Sequence, residues 1–411
     1  PQNEALALAT AMAELEGKNW HRAANLAEPV FSRTQDPRAG VVLVEAQLAM
    51  HGDFRKALEL LHATNPNPQE ELALRQRLAE VLISHGELPA AIEELTRALE
   101  LAPLRGDLAY NLALAQFKAG HVDDALKSAE KCRTFDDTAE LEDLLGDIQE
   151  ARGDNLDAIR SYQASVALGP REERYRLSLA LEFIRHNSFD AARLVLTQAA
   201  ELWPKSWRIQ LALGMVEHFA GSDDQASRIL LHAAELAAEP RAALESLGSI
   251  QMEQASPPAS AAVAQLCGYS DRHPDDGKFQ YYCGALLLRR DLVSGDKKHA
   301  VEILRRLEVA ANLLGNDASP HCQAGRVYRW LERWQEARSE SETCVRMDPN
   351  SADGHYRLAQ IYQHLGEPER SNQEMTLYQA ASERLADENA RRDETMKTFL
   401  YSIRDSPPDH Q

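Results

Sequence analysis

Thiols, imidazoles and carboxylates are the side chains that could carry chemistry in this chain. The cysteines are Cys132, Cys267, Cys283, Cys322 and Cys344. A C-x-x-C pair would hold zinc or exchange disulfides, but no two of the five have that spacing. The 14 histidines are scattered. His355 and His364 are too far apart in sequence to form a metal pair on one helix face. Asp348, Asn350, Asp353 and Gly354 have the residue types of a calcium loop with the wrong ligand spacing, and Pro349-Asn350 reads better as a turn. The zinc-protease, nucleophile-elbow and phosphate-loop patterns are absent from the sequence. Asp and Glu together number 64, and none sits in a context that suggests a closed pocket. The expectation is a non-enzyme with no catalytic residue, no cofactor and no metal ligand.

The elements that would position any site follow from a recurrence of about 34 residues, a length that means a solenoid of stacked units. Gly146, Gly214, Gly248, Gly284 and Gly325 each follow a small or apolar residue, about twelve residues before an Ala or Ser that opens a second helical stretch. Many units close on a proline: Pro103, Pro170, Pro204, Pro240, Pro274 and Pro349. In the stretch 72–105, Leu78, Ala79 and Leu82 form the stripe of a first helix, and Gly86 permits a tight turn at positive φ. Ala91, Leu95 and Ala98 then line a second helix, and Pro103 ends it.

This pattern resembles the tetratricopeptide repeat. Leu145-Gly146, Gly153, Ala158, Tyr162 and Pro170 fit its series, as do Leu179-Ala180, Phe183, Phe189, Ala192, Ala199 and Pro204. Leu213-Gly214, Gly221, Ala226 and Ala233 follow in register, then Gly325, Tyr328, Trp334, Ala337 and Pro349, then Leu358-Ala359, Tyr362 and Gly366. The resemblance implies an all-α fold, a right-handed superhelical solenoid of antiparallel helix pairs over 1–385. Units start near 4, 38, 72, 106, 139, 173, 207, 241, 277, 318 and 352. An insertion at Pro257-Pro258 interrupts the eighth unit and a longer one, Asp291–Lys298, the ninth. A helix over 386–404 is expected to cap the stack, because terminal repeats need a polar outer face, and 405–411 to form a tail. Cys132 and Cys344 fall where Ala98 and Ala199 sit in other units and read as small packing residues, while Cys267 and Cys283 lie on helices expected to be neighbours.

In this family the first helix of each pair lines the concave face, at its second, fifth, ninth, twelfth and thirteenth positions. Those positions form three zones. Val42, Ala46, Ala49 and Met50 make an apolar one. Glu80, Asp107, Glu140, Asp143, Asp147 and Glu150 make an acidic one, broken by Tyr110 and Phe117. The third mixes cations with aromatic and apolar groups: Arg174, Leu177, Leu181, Arg185, Arg208, Met215, His218 and Phe219, then Lys278, Tyr281, Arg289, Arg326, Arg329, Trp330 and Tyr356. Arginine and aromatic residues dominate interface energetics. The Lys-plus-Asn clamp of chaperone-binding members is missing. Of the Asn ladder found in members fused to sugar transferases only Asn111 is present, with Leu144, Ser178, Ala212, Ser246 and Tyr282 at the other rungs.

The resemblance implies a scaffold or adaptor holding a peptide or partner protein in the groove. The alternative is a structural subunit that assembles with its own copies, end to end or laterally, into an extracellular or envelope filament, with a glycan as one candidate to hold the tail. The net charge of −19 argues against nucleic acid as the main partner. No run approaches the roughly eighteen apolar residues of a membrane span, so no membrane insertion is expected. An apolar fraction of 44% suffices for a continuous core, and the 6% of aromatics suits helix contacts filled by Ala and Leu. The compartment stays open: cytoplasmic, or periplasmic or extracellular if the start at Pro1 reflects signal removal.

Overall fold

The structure is a computed structural model that describes residues 2–64, 67–254, 256–383, 395–398, 400, 401 and 404. Residues 386–394, the tail 405–411 and the question of what holds that tail therefore lie outside the described residues. Among the described residues there are helices and no strands. They divide into two compact units, Pro1–Tyr175 and Arg176–Gln411.

The first unit stacks antiparallel pairs: α1 (Gln2–Glu16) with α2 (Trp20–Thr34), α3 (Pro37–Ala49) with α4 (Phe54–His62), α5 (Pro68–Ser84) with α6 (Leu88–Leu101), α7 (Gly106–Lys118) with α8 (Val122–Arg133), and α9 (Ala139–Arg152) with α10 (Asn155–Leu168). The second unit opens with α11 (Glu173–Arg185) and α12 (Phe189–Leu202), then α13 (Trp207–Phe219) with α14 (Asp223–Leu236), and α15 (Arg241–Glu253) with α16 (Ser260–Arg272). It continues with α17 (Gly277–Ser294) and α18 (Ala300–Leu314), α19 (Ser319–Trp330) and α20 (Trp334–Met347), and α21 (Ala352–His364) and α22 (Pro368–Ser382). The ninth-unit insertion lengthens α17 to 18 residues, the longest helix described.

The two helices of a pair begin differently, and local chemistry explains it. Several first helices carry a side-chain cap: Asp36, Asn67, Thr138, Ser206, Asp276 and Ser351 accept from backbone N–H groups of the first turn. The second helices begin straight after a tight turn and have no such cap. That turn needs one residue in the left-handed region, supplied without steric cost by Gly86, Gly120, Gly153, Gly221 and Gly366. Lys18, His51, Asn187 and Glu332 adopt the same conformation with a Cβ, at φ between 54 and 62°. Replacing Glu332 with Gly is therefore expected to stabilise the second unit by about 1 kcal/mol, read as a rise in its urea midpoint.

Small residues set the distance between paired helices. A Cβ on Gly146 would lie 2.5 Å from the ring of Tyr162 in its partner helix α10, and, between first helices of successive pairs, one on Gly248 of α15 would lie 2.6 Å from the ring of Tyr282 of α17. Tyr162 is 1% exposed, and its hydroxyl donates to Asp147 at 2.7 Å.

The cysteines divide in a way the repeat register does not foretell. Cys267 and Cys283 join α16 to α17. Cys322 and Cys344 join α19 to α20, which corrects the reading of Cys344 as a packing residue: its neighbour across the pair is another thiol, so the same repeat position serves a covalent link. Cys132 alone is free and buried, and burial, with Asp136 adding to it, pushes its thiol up to about 11. Thiol titration of the oxidised protein is expected to find none in the native state. It should find one on denaturation without reductant, which leaves Cys132 as the thiolate donor.

Candidate partner-binding surfaces

The acidic zone of the first unit is largely engaged within the unit. Asp107 accepts from Arg105 at 2.6 Å, and Asp147 from Tyr162 at 2.7 Å. Glu80 sits 3.3 Å from Arg77. Asp143, 1% exposed, is ion-paired with Arg174 at 2.9 Å. Arg174 therefore belongs with the acidic stretch and does not extend the basic zone. The Arg105 pair holds Asp107 below the usual carboxylate range. Burial first, with the charges of Glu140 and Asp143 adding, pushes the Tyr175 hydroxyl up. Glu150 is engaged as well. In the apolar zone, Val42 and Ala46 are buried and Ala49 and Met50 half-buried.

In the second unit the mixed zone separates into structural and unspent residues. Leu177, Leu181 and Met215 are core rather than groove lining. Phe219 stacks on Phe189 with centroids 5.7 Å apart, and His218 is hydrogen-bonded to Asp223 at 2.7 Å. The Arg208 guanidinium covers the ring of Trp207 at 4.9 Å. Arg289 donates to the carbonyls of Gln251 and Gln254, and to that of Ser256 at 2.8 Å, so it closes the C-terminal end of α15 before the Pro257-Pro258 insertion. Tyr281 is packed on the core, and burial pushes its hydroxyl up to about 12. Arg329 donates to Gln360, Trp330 lies under Lys297 at 5.8 Å, and Tyr356, 41% exposed, meets Tyr378 at 5.3 Å.

Arg326 is different. It is half-buried on α19 and makes no hydrogen bond or ion pair among the described residues. Burial first, then the charge of Arg357, with Arg289 and Arg329 adding and Asp353 opposing, pulls its guanidinium down to about 10. Arg357, on α21, is ion-paired with Asp353. It stands one position beyond Tyr356 and outside the family's groove positions, so the sequence reading passed over it. Together these residues could hold an anion, because a guanidinium presents a fork of donors that fits a carboxylate. Among the described residues no group of three or more His, Cys, Asp and Glu could hold a metal ion, and no helix is long and apolar enough to cross a membrane.

The segment expected to cap the stack, 386–404, is described only at 395–398, 400, 401 and 404. Its described residues lie against α11 and α13 of the second unit, where Tyr401 meets Arg185 and Lys397 meets Asn187 and Phe219.

Helix pairs stacked by small-residue contacts, with first helices carrying the charged and aromatic groups, define a helical-repeat protein. Residues 77–136 and 177–243 match the tetratricopeptide repeat family model. Those two stretches of the chain are tetratricopeptide repeats. No curated protein matches the chain. Similar solved structures include the Cut9-Hcn1 hetero-tetramer of the APC/C, at 15% identity and a TM-score of 0.41, covering 96% of this chain and 95% of that one. The yeast Tom70 covers 98% and 96% at 14% identity and a TM-score of 0.37. YrrB, described as having an unusual peptide-binding site, covers 47% of this chain and 97% of its own at 19% identity and a TM-score of 0.37.

Proposed function

We propose that this chain is a non-catalytic scaffold that holds a partner protein or peptide along the groove of its second unit, with an acidic side chain of the partner set against Arg326. The observation that carries the reading is the state of Arg326 itself. Arg289, Arg329 and Arg357 each have an acceptor, whereas Arg326 has none among the described residues and sits among the other three. A sheltered cation with no acceptor of its own and three other cations around it is costly to keep, and a partner carboxylate would reduce that cost. Trp330 and Tyr356 are the aromatic anchors beside it.

A bead-displayed peptide library, half of it rich in Asp and Glu and half neutral, tests this. The wild-type chain is expected to retain acidic sequences, less so as NaCl rises, because exposed charge attraction is screened. Arg326→Glu should weaken retention by about tenfold or more, a hot-spot effect. Equal retention of neutral peptides by wild type and Arg326→Glu would remove the proposal.

A further inference from the structure

We infer that the segment carrying Met396, Lys397, Leu400, Tyr401 and Arg404 is an intramolecular ligand of the second unit, its described residues seated as an amphipathic helix on the groove ends of α11 and α13 where a partner helix of the same pattern would bind. The inference rests on the reading of this groove as a partner site and identifies what occupies part of it.

The contacts are specific. Arg185 donates through Nε to the Tyr401 hydroxyl at 3.0 Å, and its guanidinium lies over the same ring at 4.4 Å. Lys397 donates through Nζ to Asn187 Oδ1 at 2.7 Å and stands 5.9 Å from the Phe219 ring. Leu400 is 2% exposed, in one apolar cluster with Leu181, Ile184 and Met215, and Met396 and Tyr401 pack at its edge. Arg404 lies over Tyr401 at 5.7 Å. These partners are more than 200 positions apart in the chain, as the separations of 216 and 210 show, so nothing local places the segment there.

The pattern is that of a helix bound by one face. Met396 and Leu400 are four apart, as are Lys397 and Tyr401, and Arg404 continues four beyond Leu400, so the engaged residues form adjacent rows. Arg185 and Phe219 both end the first helix of their pair and, with Asn187, form the receptor. Asn187 is held in the left-handed conformation, at φ 56°, which aims the turn that accepts Lys397. The segment is basic, so charge attraction to the nearby Arg185 does not drive its seating. Apolar burial and the Arg–Tyr stack do. The partner that fits is accordingly a helix with a Leu-Tyr pair and a Met-Lys pair one turn before it, the helix-in-groove mode. A tethered copy competes at an effective concentration on the order of millimolar, so access for a partner in trans depends on release of the segment.

The test uses the full-length chain and a fluorescein-labelled peptide with the sequence of residues 393–404. Wild type is expected to bind the probe weakly, and the Leu400→Asp/Tyr401→Ala chain at least about tenfold more tightly, because its own segment has left. Adding Arg185→Ala/Phe219→Ala to that chain should abolish the gain. Equal tight binding by wild type and released chain would show an empty groove and overturn the inference. No binding by either would show that these contacts do not hold a helix, and would overturn it too. Hydrogen exchange provides the check within one molecule. The 395–404 amides are expected to be protected in wild type and to exchange at least about tenfold faster in Arg185→Ala/Phe219→Ala. Unprotected exchange in wild type would sink the inference whatever the acidic library shows. Loss of acidic-peptide retention alone, with protection intact, would sink only the reading of Arg326. A mass that doubles with concentration while protection persists would place the segment in a second copy and overturn the intramolecular assignment.

Discussion

Reduction of the oxidised protein is expected to lower the unfolding midpoint of the second unit and leave the first unchanged. Both disulfides, Cys267–Cys283 and Cys322–Cys344, lie in Arg176–Gln411, and the first unit holds only the free Cys132. They close chain separations of 16 and 22 residues. A loop of that length is worth about 3 kcal/mol per bridge, mainly by restricting the unfolded chain, which is roughly 6–12 °C in midpoint for a body of this size. Thermal melts with and without reductant, with hydrogen exchange to separate the two units, measure it. Cys322→Ala/Cys344→Ala should reproduce about half of the shift, while Cys132→Ser should leave the reductant response intact. A melt indifferent to reductant would mean the four thiols are unpaired in solution. Bonds of this kind persist in oxidising compartments, so the redox state in which the protein is isolated bears on the compartment that the sequence leaves open.

The second large effect is at the contact between α9 and α10 in the first unit. Tyr162→Ala is expected to cost about 4 kcal/mol, since it empties a fully buried ring site and removes the hydrogen bond to Asp147. Gly146→Ala is expected to cost about 2 kcal/mol by the opposite route, because its Cβ would be driven into that ring at 2.5 Å and the ring has no free end to swing away. The two should not add. With the ring gone the methyl group of Gly146→Ala has room, so the double variant is expected to cost less than the sum, with a coupling of about 1 kcal/mol or more. Urea unfolding of the four proteins closes the cycle. Additive costs would mean that the two helices separate in the single variants rather than clash.

Much of the fold was legible because repeat physics is local. Leu145-Gly146 with Tyr162, and Gly86, Gly153, Gly221 and Gly366 at the turns, are residues whose type alone constrains a helix contact or a backbone angle. Lys18, His51, Asn187 and Glu332 at the same turns could not be identified that way, because the turn's own backbone hydrogen bonds, such as Ser188 N–H to the Phe183 carbonyl, hold a left-handed conformation that these residue types do not require. The binding zones were legible only as a roll of positions. Which cations are spent and which are not depends on neighbours from other pairs. Arg174 is taken up by Asp143 and Arg289 by the end of α15, while Arg326 finds no acceptor among the described residues. No spacing within one repeat contains that information.

What the sequence determined by itself is the repeating unit, since its period, small residues and turn glycines act within about 34 residues of one another. What only the tertiary structure decided is everything set by distant pairs. Cys322 meets Cys344 although Cys132, in the equivalent place, meets no thiol. Tyr401 and Lys397 return to Arg185 and Asn187 across more than 200 residues, at separations of 216 and 210. The physical reason is that a helical pattern specifies an apolar face but not the face it will cover. That choice is made by the shape and exposed apolar area the assembled stack offers, which exists only once the stack has formed.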